Sequence, residues 1–101
     1  MCSQEADPVP PPSRDLILTM VNRRGLHARA AAKFVQTAEQ FNCTITVSKD
    51  GHSVSGRSIM GLLMLAATLG SAIEVKLRGR EAGPAADAIE ALVSNGFGEA
   101  E

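Results

Sequence analysis

The spacing of apolar residues changes repeatedly along this chain, and these changes constrain the fold more than any other feature. Strict alternation of apolar and polar residues is typical of a half-buried strand, whereas recurrence at three- and four-residue steps is typical of an amphipathic helix. The first pattern predicts strands at about 16–21, 43–49, 52–55 and 73–78. The second pattern predicts helices at about 28–41, 59–67 and 84–95. The predicted order is therefore β-α-β-β-α-β-α.

Turn and cap residues support this order. Asp50-Gly51 is a strong signal for a two-residue hairpin, and Ser58 is a good N-cap for the second helix. One sheet with helices on a single face is the economical way to bury the apolar stripes, which predicts an α+β fold. If the last strand inserts between the first two, a split β-α-β arrangement results.

Composition limits the class of protein. The 101 residues are 45% apolar and 3% aromatic, which fits one domain with an aliphatic core. A net charge of −1 implies no general attraction to nucleic acid or to an anionic membrane. Cys2 and Cys43 cannot form a disulfide framework, and Cys43 is expected to be a small buried side chain.

Targeting and boundaries are also predicted from the sequence. We find no signal-peptide pattern, and the apolar stretch 59–69 is shorter than the ~20 residues that span a bilayer, so a cytoplasmic protein is expected. Residues 1–14 are predicted to be a flexible, proline-rich N-terminal tail. Residues 15–97 are predicted to form the single domain, and residues 98–101 a short C-terminal tail.

The stretch 24–30 carries the main chemical signal. His27 lies between a glycine-bearing loop and the predicted start of the first helix, with Arg29 two residues on. No second histidine, cysteine or carboxylate is close in sequence, so a metal site is not expected. The N–H groups and positive dipole at a helix N-terminus favour an anion, so His27 is well suited to carry a phosphoryl group.

Charges near this histidine are uneven. Basic residues crowd around it in sequence, namely Arg23, Arg24, Arg29 and Lys33. Arg23 and Arg24 are either an ordinary solvated pair or part of a field that steers acidic partners, and the second interpretation is slightly favoured. His52 has no such context and is expected to be exposed to solvent.

The second predicted helix is apolar in every direction around its axis. One interpretation is that this helix is sunk between the others. The favoured interpretation is that some of Ile59, Met60 and Leu63 are exposed as a docking patch, in which methionine supplies an adaptable surface.

Two motifs resemble one family. Gly25-Leu26-His27-Ala28-Arg29, followed by 31–35, resembles the active-site signature of HPr, the histidine-containing phosphocarrier of the bacterial phosphotransferase system. The stretch 58–62 resembles the second, serine-bearing motif of that family. The resemblance covers about residues 15–90 and implies an open-faced sandwich, with a four-stranded antiparallel sheet and three helices on one face.

The resemblance also implies a chemistry. A phosphoryl group from phosphoenolpyruvate would reach enzyme I, then Nδ1 of His27, and then a IIA-type acceptor, with Arg29 balancing the phosphoryl charge. Partners would dock at Arg24 and at the patch of Ile59, Met60 and Leu63. The chain would be a monomeric carrier intermediate and not a stand-alone enzyme, and no cofactor, nucleic acid or membrane insertion is expected.

Three points stay open in the sequence. Ser58 matches the regulatory serine that HPr kinase/phosphorylase modifies in some bacteria, although its role as an N-cap explains it equally well. Ala30 stands where many family members have proline, which together with Ser58 and 62–67 suggests an alphaproteobacterial branch with a nitrogen-type phosphorelay instead of, or beside, sugar uptake. The alternative function is an HPr-like regulatory module whose phosphorylation state switches partner affinity without productive transfer.

Overall fold

One antiparallel sheet forms the base of the part of the chain that the computed structural model describes, residues 12–99. Its strands are β1 (Ser13–Thr19), β2 (Thr44–Lys49), β3 (His52–Ser55) and β4 (Ala72–Arg78). They lie in the order β1-β4-β2-β3. The last strand therefore inserts between the first two, and the predicted split β-α-β arrangement is confirmed.

The helices are α1 (Ala28–Ala38), α2 (Ile59–Met64) and α3 (Ala82–Ser94), followed by a short 3₁₀ turn at Gly96–Gly98. They cover one face of the sheet, so the predicted α+β open-faced sandwich is confirmed. In β4, Ile73, Val75 and Leu77 are buried and alternate with exposed residues. These side chains form the core with fully buried residues such as Phe34 and Ile89.

The β2–β3 turn is the predicted two-residue hairpin. Asp50 and Gly51 have φ values of 50° and 84°, as a type I′ turn requires at both central residues. The register that follows pairs Val47 with Val54. Cys43, just before β2, is buried as expected, and His52 is exposed as expected.

The first strand begins earlier than the alternation predicts. We expected a strand at about 16–21, but β1 runs from Ser13 to Thr19 because it pairs along the whole length of β4, from Ser13 opposite Arg78 to Thr19 opposite Ala72. Residues 1–11, which include most of the predicted tail and Cys2, lie outside the described residues.

Two helices end earlier than predicted. The predicted end of the first helix near residue 41 is wrong, because α1 ends at Ala38. The chain then continues in tighter turns, in which Phe41 N–H donates to the Ala38 carbonyl. The predicted end of the second helix near Ala67 is also wrong, since α2 ends at Met64. Ala66 then takes a left-handed backbone with a φ of 52°. This turn buries Leu65 and Ala67 and leaves Ala66 exposed, so core packing overrides helix propensity.

Arg57 fixes the turn before α2 against the end of α1. Its guanidinium donates to the carbonyl oxygens of Ala38, Phe41 and Cys43 at 3.0, 2.7 and 2.8 Å. These bonds satisfy acceptors that a helix C-terminus leaves open. The Arg57 bonds thereby fix the position of Ser58, the residue that immediately precedes α2.

None of the helices within residues 12–99 has the length and apolar character needed to span a bilayer.

Candidate active site

His27 is the N-cap residue of α1. Its backbone is extended, with φ −82° and ψ −179°, and its carbonyl oxygen accepts the first helical hydrogen bond from Ala31 N–H at 2.8 Å. Its side chain makes no capping hydrogen bond. The His27 side chain therefore leaves the first N–H groups of α1 uncapped, as donors at a helix N-terminus. The imidazole is 16% exposed, so solvent reaches the ring although much of it is packed.

The loop before His27 is held against the segment that follows α2. Leu26 is buried, and its N–H donates to the Ala67 carbonyl at 2.8 Å. Gly25 has a φ of 62°, and a Cβ at this position would lie 2.3 Å from the same carbonyl oxygen. Only glycine allows both the left-handed backbone and this close approach. The loop geometry that presents His27 is thus set by packing on another part of the chain.

A carboxylate from the far end of the chain contacts the ring. His27 Nε2 is hydrogen-bonded to Glu99 Oε2, and the other oxygen, Glu99 Oε1, accepts from Asn22 Nδ2 at 2.9 Å. Asn22 is buried and also donates to the Gly25 carbonyl at 2.8 Å. The sequence predicts basic neighbours for His27 and a tail at residue 99, so neither Asn22 nor Glu99 was expected at this site.

The segment 95–99, here called the C-terminal segment, brings Glu99 to this position. Phe97 is buried in the core with a φ of 58°, and its carbonyl oxygen accepts from Lys33 Nζ at 2.6 Å. Glu99 N–H donates to the Gly96 carbonyl at 3.1 Å. The available sequence signal was an aromatic residue between two glycines directly after a helix, which indicates that the chain turns back to bury it.

The electrostatics of the site favour the ionised carboxylate. Hydrogen bonds from Asn22 and then from His27 lower the pKa of the Glu99 carboxyl, and the charges of His27 and Arg24 act in the same direction. Arg24, predicted to lie in the partner-docking surface, is therefore close enough to attract Glu99. Arg29 is exposed and makes no ion pair with any side chain in residues 12–99, so its guanidinium is available to an incoming anion.

The second motif lies at the start of α2. Ser58 is its N-cap as predicted, with Oγ accepting from Gly61 N–H at 2.9 Å. Of the predicted docking residues, Ile59 and Met60 are exposed, whereas Leu63 is partly buried against the core. Met64, which the sequence analysis did not single out, is 77% exposed. α2 therefore has an apolar exposed side, and its use in docking stays a prediction.

Within the described residues, no group of three or more histidine, cysteine or carboxylate side chains could hold a metal ion. The chemistry available around His27 is that of one imidazole, one carboxylate, guanidinium groups and helix N–H groups.

Comparison with known proteins decides the family. The family model described as "PTS HPr component phosphorylation site" matches residues 16–95, which include both the His27 loop and α2. The chain belongs to the HPr family. HPr proteins are phosphocarriers of the phosphotransferase system, and this membership supports a phosphocarrier role for the chain.

Individual relatives agree with this assignment. The chain is 45% identical over 84 residues to phosphocarrier protein HPr of Neisseria meningitidis serogroup A, covering 83% of this chain and 94% of the relative. It is 42% identical over 83 residues to phosphocarrier protein NPr of Shewanella violacea, covering 82% and 91%. Among solved structures, HPr-C-His from Thermoanaerobacter tengcongensis superimposes with a TM-score of 0.83 at 36% identity, covering 87% of this chain and 99% of that one.

Proposed function

We propose that the chain carries a phosphoryl group on Nδ1 of His27, taking it from phosphorylated enzyme I and passing it to a IIA-type acceptor. The observation that carries this proposal is the position of the imidazole. It is partly exposed at the N-cap of α1, makes no capping bond, and lies beside open helix N–H groups. These donors and the exposed Arg29 favour the negative charge of a phosphoryl group.

The transfer step needs little beyond this arrangement. The Nδ1 lone pair forms a bond to phosphorus while the bond from phosphorus to the donor protein breaks, and the reverse event delivers the group to the acceptor. Phosphoryl transfer depends mainly on positioning and charge compensation, which helix N–H groups and a guanidinium supply. Neutral imidazole is nucleophilic near physiological pH.

The finer parts of the proposal concern partners. Enzyme I and the IIA-type acceptor would dock on the exposed side of α2, at Ile59 and Met60, with Arg24 contributing positive charge. The chain would act as a cytoplasmic monomer without a cofactor. Its acceptors would serve sugar uptake, a nitrogen-type relay or both.

Ser58 would be the regulatory site, modified by HPr kinase/phosphorylase. A phosphate here would lie at the N-terminus of α2, where the helix tolerates negative charge, and next to the exposed Ile59 and Met60. About two added negative charges would repel the acidic surface of a partner.

Labelling with phosphoenolpyruvate and enzyme I tests the carrier function. The wild-type protein should gain one acid-labile, base-stable phosphate and lose it on addition of an acceptor protein. His27→Ala should gain none, whereas His52→Ala, which removes an exposed histidine outside the site, should behave as wild type. Labelling that persists in His27→Ala would contradict the proposal. Labelling without onward transfer to any acceptor would instead support the regulatory module.

A further inference from the structure

We propose that Glu99 is a positioning residue of the carrier site: its carboxylate keeps the proton of the neutral His27 ring on Nε2 and so leaves the Nδ1 lone pair free for phosphorus. This inference rests on the proposed function, because it explains how the carrier nitrogen is prepared. It concerns a residue outside both motifs of the family resemblance, and 72 positions from His27 in the chain.

The hydrogen bonds around Glu99 fix the direction of each donor. Gly25 offers a carbonyl oxygen, which can only accept, so the Asn22 side chain must present its NH₂ group there. The same NH₂ group faces Glu99 Oε1, while Asn22 Oδ1 is buried without a partner among the described residues. The Gly25 carbonyl and the Glu99 carboxylate both accept from the Asn22 NH₂ group, and together they fix the orientation of the Asn22 amide.

The consequence for the ring follows from the chemistry of a carboxylate. An ionised carboxylate has only acceptor sites, so the ring nitrogen that faces it carries the proton. The tautomer of a histidine is set by the bond that one of its nitrogens makes. With Glu99 Oε2 on Nε2, the neutral ring of His27 has its hydrogen there and its lone pair on Nδ1.

This tautomer simplifies the proposed transfer. Nδ1 can form the bond to phosphorus without first losing a proton, and the Nε2 proton stays on the ring throughout. The phosphorylated ring is then an imidazolium, with its positive charge shared onto the Nε2–H that faces Glu99. The carboxylate thus stabilises the phosphorylated state as well as the reactive tautomer, much as a buried carboxylate orients and stabilises the histidine of a hydrolase triad.

The packing of the C-terminal segment holds Glu99 in contact with His27. The Glu99 side chain is only 11% exposed, and Phe97 anchors the segment in the core. Lys33 Nζ holds the Phe97 carbonyl at 2.6 Å, and the Glu99 backbone N–H is bonded to Gly96. The Glu99 side chain is thus held by the anchored backbone before it and by its hydrogen bonds to Asn22 and His27.

Two substitutions separate positioning from general packing. Glu99→Ala removes the acceptor, so the ring becomes free to use either tautomer. Glu99→Gln keeps the size but replaces one acceptor oxygen by an NH₂ donor. Asn22 holds its own donor toward residue 99, so the glutamine oxygen must face Asn22 and its NH₂ must face His27 Nε2. The ring then has to accept there and carry its proton on Nδ1, the nitrogen that should attack phosphorus.

The expected order of rates is therefore unusual. Glu99→Gln should slow phosphorylation by enzyme I by at least about tenfold, the scale seen when the partner that orients a metal-bound histidine is removed, and Glu99→Ala should slow it less. A purely structural role predicts the reverse order, because glutamine fills the site and alanine does not. Glu90→Gln, on the exposed face of α3, is the matched control and should react as wild type.

The deciding readout is the ¹⁵N NMR spectrum of the His27 ring in the unphosphorylated proteins at neutral pH. We expect the Nε2–H tautomer in wild type and Glu90→Gln, a mixture in Glu99→Ala, and the Nδ1–H tautomer in Glu99→Gln. A wild-type tautomer in Glu99→Gln, or a faster reaction of Glu99→Gln than of Glu99→Ala, would overturn the inference. Failure of the wild-type protein to accept any phosphate would overturn the proposed function and leave the tautomer result standing by itself.

Discussion

The backbone N–H of Leu26 donates a hydrogen bond to the carbonyl oxygen of Ala67 at 2.8 Å. This bond joins the loop that presents His27 to the segment that turns away from α2. The first motif of the HPr family is therefore joined by a backbone hydrogen bond to the segment that follows α2, the helix in which the second motif lies. A change in the packing at this contact should affect the presentation of the histidine more than it affects the sheet, since neither residue lies in a strand.

Gly25 is the residue most sensitive to this contact. Gly25→Ala adds a Cβ 2.3 Å from the Ala67 oxygen at a φ of 62°, and should lower the free energy of unfolding by more than about 2 kcal/mol. Gly70→Ala is the control, since its φ of 87° is also left-handed but nothing lies within 4 Å. It should lower that free energy by about 1 kcal/mol. Urea unfolding measures both, and equal losses would contradict the steric argument.

Arg29 should balance charge on the phosphoryl group. Arg29→Ala should slow transfer from enzyme I roughly tenfold, because a hydrogen bond to a charged group contributes about 1.5 kcal/mol. Rapid-quench measurement of labelled phosphate on the protein gives the rate. Arg80→Ala removes another exposed arginine and should leave the rate unchanged. If Arg29→Ala reacts at the wild-type rate, Arg29 does not belong to the site.

Ser58 separates helix capping from regulation. Ser58→Ala loses the bond from Gly61 N–H and should lower the free energy of unfolding by about 1 kcal/mol. Ser58→Asp should keep the cap, since aspartate is also a good N-cap, but should weaken association with enzyme I. Thermal unfolding measures the first effect and isothermal titration calorimetry the second. Unaltered affinity of Ser58→Asp for enzyme I would remove the regulatory argument.

Glu99 should give the protein a pH-dependent part of its stability. The bonds from Asn22 and His27 lower the pKa of this carboxyl in the folded protein below its ordinary value of 4.5. A depressed pKa means that the contribution is present above that ordinary value and is lost as the pH falls through the folded pKa. The stability difference between wild type and Glu99→Ala should therefore shrink as the pH is lowered below 4.5.

Urea unfolding at a series of pH values tests this expectation. Glu90→Ala, which removes an exposed carboxylate on α3, should show no comparable trend. The stability difference between wild type and Glu99→Ala would contradict this expectation if it grew as the pH was lowered below 4.5.

Much of the fold could be predicted from local patterns. Alternation at Ile73, Val75 and Leu77 and the Asp50-Gly51 turn predicted β4 and the hairpin, because both depend on neighbours in sequence. Helix ends were less predictable. α2 stops at Met64 so that Leu65 and Ala67 can enter the core, and that demand comes from the rest of the fold.

The candidate site shows the same division. The position of His27 at the N-cap of α1 follows from local sequence, and so does the Ser58 cap. Glu99 reaches His27 only after α3 has crossed the sheet and Phe97 has packed into the core. No local pattern encodes such a contact, because it depends on the path of the chain between its two ends.

The most direct test of the central claim is to locate the phosphoryl group on ¹⁵N-histidine-labelled protein after reaction with enzyme I and phosphoenolpyruvate. Coupling between ³¹P and a ring nitrogen in the NMR spectrum identifies the residue and the atom. The account predicts coupling to Nδ1 of His27, with the Nε2 proton retained. Coupling to Nε2 of His27, or to His52, would contradict it.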